Sequence, residues 1–210
     1  MRGIGPLTVA ILAGGRGQRL GGEKARVMLG GRPFIQHVMD RVGPLADELL
    51  WVARADQALA ADGHARVIHD LPGNLGLVAA MATAIRASRH PWVWIVGCDM
   101  PFVSPDLLRY QWHVRGGYDV VVPRIPAGLE PLHGLYHRRC LSYLLGAAEG
   151  GERRVGRVIS RMPVRYVTAD EIAQHDPSGY AFVNINSPQD LEWAEGLLAE
   201  LAQPAPPAPH

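Results

Sequence analysis

Residues Leu7–Lys24 read LTVAILAGGRGQRLGGEK. The opening run, Leu7-Thr8-Val9-Ala10-Ile11, is apolar enough to be a buried strand. It passes into Leu12, Ala13 and the glycines Gly14, Gly15 and Gly17, and then meets the cations Arg16, Arg19 and Lys24. Glycines let the main chain turn tightly and present N–H groups to an anion with no side chain in the way. Cations in the same stretch balance the charge of a triphosphate. A buried strand that ends in such a loop is laid out as a phosphate cradle.

Two glycine motifs can be tested against this loop. The pattern GxxxxGK[ST] fails, because the chain has no Gly-Lys-Ser or Gly-Lys-Thr. The dinucleotide fingerprint GxGxxG starts at Gly15 and Gly17, but Leu20 stands where its third glycine is due. Gly21 and Gly22 would also interrupt a helix there, at about 1 kcal/mol for each interior glycine. The segment therefore reads as a long loop wrapped over a ligand.

Further strands are expected at Leu49–Ala53, Arg66–His69 and Trp92–Gly97, the last apolar throughout as a strand covered on both faces should be. Helical patterns lie between and after them, over Phe34–Val42, Gly76–Ser88 and Pro105–Val114. This alternation predicts a mainly parallel sheet sandwiched by helices, with ligands beyond the carboxyl ends of the strands. The second half is less regular. It carries strands at Tyr118–Pro123, Leu132–His137 and Val164–Thr168, and helices near Arg139–Ala148 and Arg154–Arg161. A final helix over Pro188–Leu201 has Ser187 as its N-cap.

The chain has 210 residues, 48% of them hydrophobic and 20% charged, which suits one α/β domain over 1–202. Within it, about 1–115 would be the nucleotide-binding half and 116–202 the acceptor-binding half. The ending, residues 203–210, holds four prolines and reads as an extended, mobile tail. Net charge is +1, so any phosphate affinity is local, and neither nucleic acid nor membrane is an expected partner. Cys98 and Cys140 are too few for a zinc cage or a disulfide framework. With no apolar stretch near ~20 residues and no signal peptide, a cytoplasmic location is expected.

The loop and its sequel, MLGGRPFIQHV over Met28–Val38, resemble the opening signature of the molybdenum cofactor guanylyltransferases. The shared core is LAGG at Leu12–Gly15, then Arg19 to Lys24, then Gly31-Arg32-Pro33-Phe34. Glu130–Tyr136 (EPLHGLY) is similar to the family's P-L-x-A-L-Y strand, and Phe182–Leu191 (FVNINSPQDL) to its F-x-N-I-N-T-P-x-D-L. The resemblance implies a Rossmann-like three-layer α/β/α nucleotidyltransferase fold with a mainly parallel sheet. It also implies GTP and a molybdopterin-type molybdenum cofactor as substrates, Mg²⁺ as cofactor, and contacts with other cofactor-biosynthesis and acceptor proteins.

Asp99, in GCDMPF, follows the most apolar strand, where a carboxylate can reach the cleft from a fixed backbone. Magnesium suits it, since Mg²⁺ is held by one or two carboxylates plus phosphate oxygens. Ser104 is better placed than Asp99 to cap the helix at Pro105. The resemblance carries the metal role to Asp99, nucleotide contacts to Leu12, Ala13, Gly14, Gly15, Arg19, Lys24, Asp70 and Asp99, and catalytic roles to Lys24, Arg19 and Asp99. Asp70 precedes Pro72-Gly73, where the other reading is an ordinary turn, and the nucleotide role is preferred. Asn184 is a candidate metal ligand and Asn186 an acceptor contact, unless both only fix the loop before the last helix. Arg153 and Arg154 could grip an acceptor phosphate or form a solvated face. Two departures stand out. Gly76–Met81 reads GLVAAM where the family has G-P-L-A-G, and Ala53-Arg54 stands where an asparagine is usual.

The reading that emerges is transfer of a nucleoside monophosphate to a phosphorylated acceptor with release of pyrophosphate. Cytidylyl transfer to the same cofactor, sugar-phosphate nucleotidyl transfer, and a non-catalytic nucleotide or pterin carrier are the alternatives.

Overall fold

The computed structural model describes residues 4–15, 17–20, 22–57, 64–70 and 76–202. Strand β1 (Leu7–Leu12) is buried at every position. A two-residue hairpin, β2 (Met28–Leu29) and β3 (Arg32–Pro33), leads into α1 (Phe34–Val42). The hairpin turns on Gly30 and Gly31, at φ +54° and +77°. Positive φ at both central residues is the twist a two-residue hairpin needs, and a Gly-Gly pair supplies it without strain. There follow β4 (Glu48–Ala53), β5 (Arg66–His69), α2 (Leu77–Ala87), β6 (Trp92–Gly97) and α3 (Pro105–His113). The remainder holds β7 (Val120–Ile125), β8 (Gly128–Leu129), β9 (His133–His137), α4 (Leu141–Glu149), α5 (Val155–Ile159), β10 (Val164–Val167), α6 (Ala169–His175) and α7 (Pro188–Leu201).

The main sheet has the order β10-β7-β9-β6-β1-β4-β5, with β8 paired to the end of β7. β1, β4, β5 and β6 are mutually parallel, and β9 runs antiparallel between β6 and β7. Alternate residues of β1 decide the layers. Leu7, Val9 and Ile11 pack with α1, α3 and Ile172 of α6 on one face. Ala10 and Leu12 pack with α2, α4 and α5 on the other. The strands are apolar on both sides because helices cover both. A third cluster joins Leu29 and Phe34 to Phe102, Ile185 and Leu197, and seats α7 against the hairpin. One sheet thus contains strands from both halves of the chain. No helix among the described residues is long and apolar enough to cross a membrane.

The expected elements lie within a few residues of the observed ones. Ser104 does cap α3, its Oγ accepting from the Leu107 N–H at 3.2 Å. Helix α6 is an addition that the sequence reading lacked. Its signal is Thr168-x-x-Glu171, a capping box in which each side chain bonds the other's backbone. The tail at 203–210 lies outside the described residues.

Glu171 also ties α6 to the rest of the molecule. It accepts from Arg165 and from the Tyr110 hydroxyl, and from the Thr168 N–H at 2.8 Å. Burial works to raise its pKa, but hydrogen bonds from Arg165, Thr168 and Tyr110 outweigh it and bring the carboxyl from 4.5 to about 2. A depressed acid stabilises the fold fully above its unfolded pKa and loses that contribution as pH falls through the folded value. The melting temperature should therefore drop between pH 4.5 and pH 2 in part through this group. In Glu171→Gln, thermal melts across that window should be flatter. An unchanged slope would remove Glu171 from the acid response.

Candidate active site

β1 pairs with β4 on one side and β6 on the other. The chain thus moves outward from β1 to β4 and β5, then crosses back over β1 to β6. That reversal opens a crevice at the carboxyl ends of these strands, the usual ligand position in open α/β sheets. A cavity of about 300 Å³ lies there. Leu12, Gly14 and Gly15 line it from the end of β1, and Val52, Ala53 and Arg54 from the end of β4. Asp70 enters after β5, Gly76, Leu77 and Ala80 from the start of α2, and Gly97, Cys98 and Asp99 from the end of β6. Lys24 and Leu132 complete the lining.

Main-chain bonds fix the loop. The Ala13 N–H donates to Val52 O at 2.8 Å and the Cys98 N–H to Leu12 O at 3.2 Å, extending the sheet by a step at the site. The Lys24 N–H donates back to Gly15 O at 3.2 Å, which closes the loop on itself. Gly17 has φ +54°, and a Cβ there would lie 1.9 Å from Gly22 O. At Gly15 a Cβ would meet the Lys24 stem at 2.9 Å. Both positions thus need glycine, the first for conformation and room, the second so that the lysine can lie across the loop.

That lysine reaches the strand-end acid. Lys24 Nζ donates to Asp99 Oδ2 at 2.6 Å, with the two side chains 18% and 13% exposed. It also donates to Asn186 Oδ1. The Asp99 carbonyl accepts from the Ile185 N–H at 3.0 Å, so the loop before α7 is sewn to the end of β6. Asn186 is held in turn by its N–H bond to Asp190 Oδ2 at 2.9 Å, beside the Ser187 cap of α7. Asp70 is anchored by its N–H to Ala53 O at 2.7 Å, and Thr83 on α2 donates to Oδ1 at 2.8 Å.

Of the residues singled out from the sequence, Leu12, Gly14, Gly15, Lys24, Asp70 and Asp99 converge on this cavity. Ala13 is fully buried behind them. Asn186 meets Lys24, whereas the Asn184 amide donates to Phe182 O at 3.0 Å and braces its own loop. Arg19 sits exposed on a short turn, Gln18–Leu20, and does not line the cavity. Arg153 and Arg154 are exposed at the start of α5, also away from the lining, and the Arg154 N–H donates to Glu152 at 2.9 Å. Arg16 lies outside the described residues. Cys98 and Arg54 also line the cavity, although the sequence assigns neither of them a site role. Burial pushes the Cys98 thiol up, with the Asp99 charge adding to it, so it stays protonated.

Among the described residues no group of three or more His, Cys, Asp or Glu side chains converges as a metal cage. Asp99 therefore offers one carboxylate, and an ion there would draw its other oxygens from a bound ligand and water. Mg²⁺ accepts that arrangement, while a zinc site would need more protein ligands.

The family model for the MobA-like NTP transferase domain matches residues 9–172. The molybdenum cofactor guanylyltransferase of Desulfosudis oleivorans is 32% identical, over 91% of this chain and 96% of its own length. That of Pseudomonas putida is 31% identical, over 89% and 96%. The solved structure of molybdopterin-guanine dinucleotide biosynthesis protein A from Archaeoglobus fulgidus superposes with a TM-score of 0.78 at 28% identity, covering 92% of this chain and 99% of that one. The 2-C-methyl-D-erythritol 4-phosphate cytidylyltransferase of Thermus thermophilus, 20% identical with a TM-score of 0.71, shares the fold. A glycine loop closed by a lysine that meets a strand-end aspartate, on a fold and sequence of this kind, places the chain in the MobA-like NTP transferase family, as a nucleotidyltransferase.

Proposed function

We propose that the protein transfers GMP from GTP to a molybdopterin-type molybdenum cofactor, with Mg²⁺, forming a guanine dinucleotide cofactor and pyrophosphate. The observation that carries the reading is the 2.6 Å contact between Lys24 and Asp99 inside a cavity walled by Gly14 and Gly15. The names of the relatives support the choice of donor and acceptor.

The chemistry follows from charge. An oxygen of the acceptor's terminal phosphate attacks the α-phosphorus of GTP in line, forming a P–O–P bond. The bond from the α-phosphorus to the bridging oxygen breaks, and its electrons leave with pyrophosphate. The acceptor oxygen is already anionic, so no protein nucleophile is required. Lys24, released from Asp99 when the triphosphate enters, neutralises charge that grows on the departing oxygens. The N–H groups of the Gly14–Gly15 turn face the same anion. Bound Mg²⁺ would be held by Asp99 and would neutralise phosphate oxygens through the transfer. Asp70 is assigned to the nucleoside end of the cavity. Arg19 is assigned to the outer phosphates and the departing pyrophosphate. The 116–202 half would receive the acceptor, with Asn186 next to the reacting centre, Arg153 and Arg154 as outer cations, and Asn184 as a further metal contact.

A pyrophosphate-release assay with each NTP plus molybdenum cofactor tests this reading. GTP with Mg²⁺ and cofactor should give turnover, and CTP, UTP and ATP should give far less. At 100-fold saturation GTP should also stabilise the protein by ~2.7 kcal/mol in thermal melts. Protection by GTP with no pyrophosphate release under any condition would make the chain a carrier, and turnover with another NTP would reassign the donor.

A further inference from the structure

Arg54 stands just past the end of β4, and its guanidinium spans the base of the glycine loop. Nη1 donates to Gly14 O at 2.9 Å, at the loop's entrance. Nη2 lies 3.8 Å from Glu23 Oε1, at the loop's exit, one residue before Lys24. Nε donates to Asp56 Oδ1 at 2.8 Å, which holds the fork in plane. The stem packs against the loop, where a Cβ on Gly14 would lie 3.2 Å from Arg54 Cγ. The backbone of Arg54 is itself fixed. Its N–H donates to Oε1 of the buried Gln57 at 3.3 Å, and its carbonyl accepts from the Gln57 N–H at 3.1 Å. Glu23 Oε2 is buried with no hydrogen-bond partner among the described residues. Among the described residues, Arg26 at 3.7 Å and Arg54 at 3.8 Å flank the carboxylate.

We infer that Arg54 is a positioning residue for nucleotide binding, a staple that joins the two ends of the phosphate loop. The inference rests on the nucleotidyltransfer reading above and deepens it. A planar fork suits the task because it can donate to the carbonyl while its charge stays beside the carboxylate, which a lysine ammonium cannot do in fixed geometry. The staple acts on the loop before chemistry and equally during it. Its loss should therefore raise KM and leave kcat nearly intact, the pattern of lost uniform binding.

Calorimetric titration of GTP with Mg²⁺, and steady-state pyrophosphate release, should be compared for the wild type, Arg54→Gln, Arg54→Lys, Glu23→Gln and the Arg54→Gln/Glu23→Gln double variant. Loss of a hydrogen bond from a charged donor should weaken GTP binding in Arg54→Gln about tenfold (~1.4 kcal/mol) and raise KM alike, with kcat within about threefold. Arg54→Lys should be nearly as weak. The double variant should bind no more weakly than Arg54→Gln alone, since both changes break one link. Guanidinium ion added to Arg54→Ala should restore part of the affinity. GTP binding in Arg54→Gln within twofold of the wild type overturns the staple. So does a fall in kcat and melting temperature at unchanged KM, which is what a merely structural arginine would give. If Arg54→Gln does not fold, Arg54→Lys and the guanidinium rescue decide. Wild-type protein that binds GTP but releases no pyrophosphate would remove the transfer reading while the binding comparison still judges Arg54. Wild-type protein that binds no NTP would remove both.

Discussion

Lys24→Ala is expected to lower kcat/KM for transfer on the order of 10³-fold, about 4 kcal/mol of transition-state stabilisation. The size follows from where the ammonium sits. It is 18% exposed, in a cavity walled by low-dielectric strand ends, and it lies across the glycine turn that meets the phosphates. A charge in such a place interacts more strongly with a developing oxyanion than one in water does. The change in stability should be far smaller. Lys24 loses its bonds to Asp99 and Asn186, but Ile185 and Asp190 still hold the surrounding loop through the backbone. A melting temperature lower by no more than about 5 °C is expected for a chain of this length. Circular dichroism melts beside pyrophosphate-release kinetics check both parts. Near-normal turnover in Lys24→Ala would contradict the assignment of this residue to the phosphates.

Asp99→Asn is the complementary case. The shape is kept and an oxygen remains to accept from Lys24, so folding should be little altered. Activity should fall by roughly 10³-fold, because an amide oxygen is a poor substitute for the carboxylate that holds Mg²⁺. Metal-free binding should move the other way. Removing a negative charge next to a bound triphosphate relieves like-charge repulsion and frees Lys24 from its ion pair. In EDTA, Asp99→Asn should thus bind GTP at least as tightly as the wild type. Equilibrium titration with and without Mg²⁺ separates the two effects. Equal loss of binding in both conditions would mean that Asp99 only braces Lys24.

The framework was legible because two signals agreed along much of the chain. β6 is apolar at every position and β1 nearly so, with Thr8 the exception, which only strands covered on both faces require. Pro188–Leu201 carried its Ser187 cap, and it forms the helix expected. The joint position of Lys24 and Asp99 followed from topology, since β1 and β6 are parallel neighbours whose carboxyl ends meet. Other features were hidden for physical reasons. α6 is only seven residues long, too short for periodicity, and its capping box was its one mark. Asn184 and Asn186 are chemically alike and two apart, so only the path of the loop decides which side chain faces Lys24. Arg19 and Arg154 carry the right charge, but charge does not say which way a loop residue points, and both are exposed outside the cavity. Arg54 stands out in the sequence only as a departure from a family pattern. Its reach to Gly14 depends on β4 lying next to β1, which is a contact across 40 residues.

The central claim is that Lys24 and Asp99 part from each other to hold one triphosphate between them. A crystal structure with a non-hydrolysable GTP analogue and Mg²⁺ measures this directly. The expected result is Lys24 Nζ on phosphate oxygens and Asp99 on the metal, with the phosphates against Gly14 and Gly15. A triphosphate bound elsewhere, with the Lys24–Asp99 pair still closed at the 2.6 Å seen here, would contradict it.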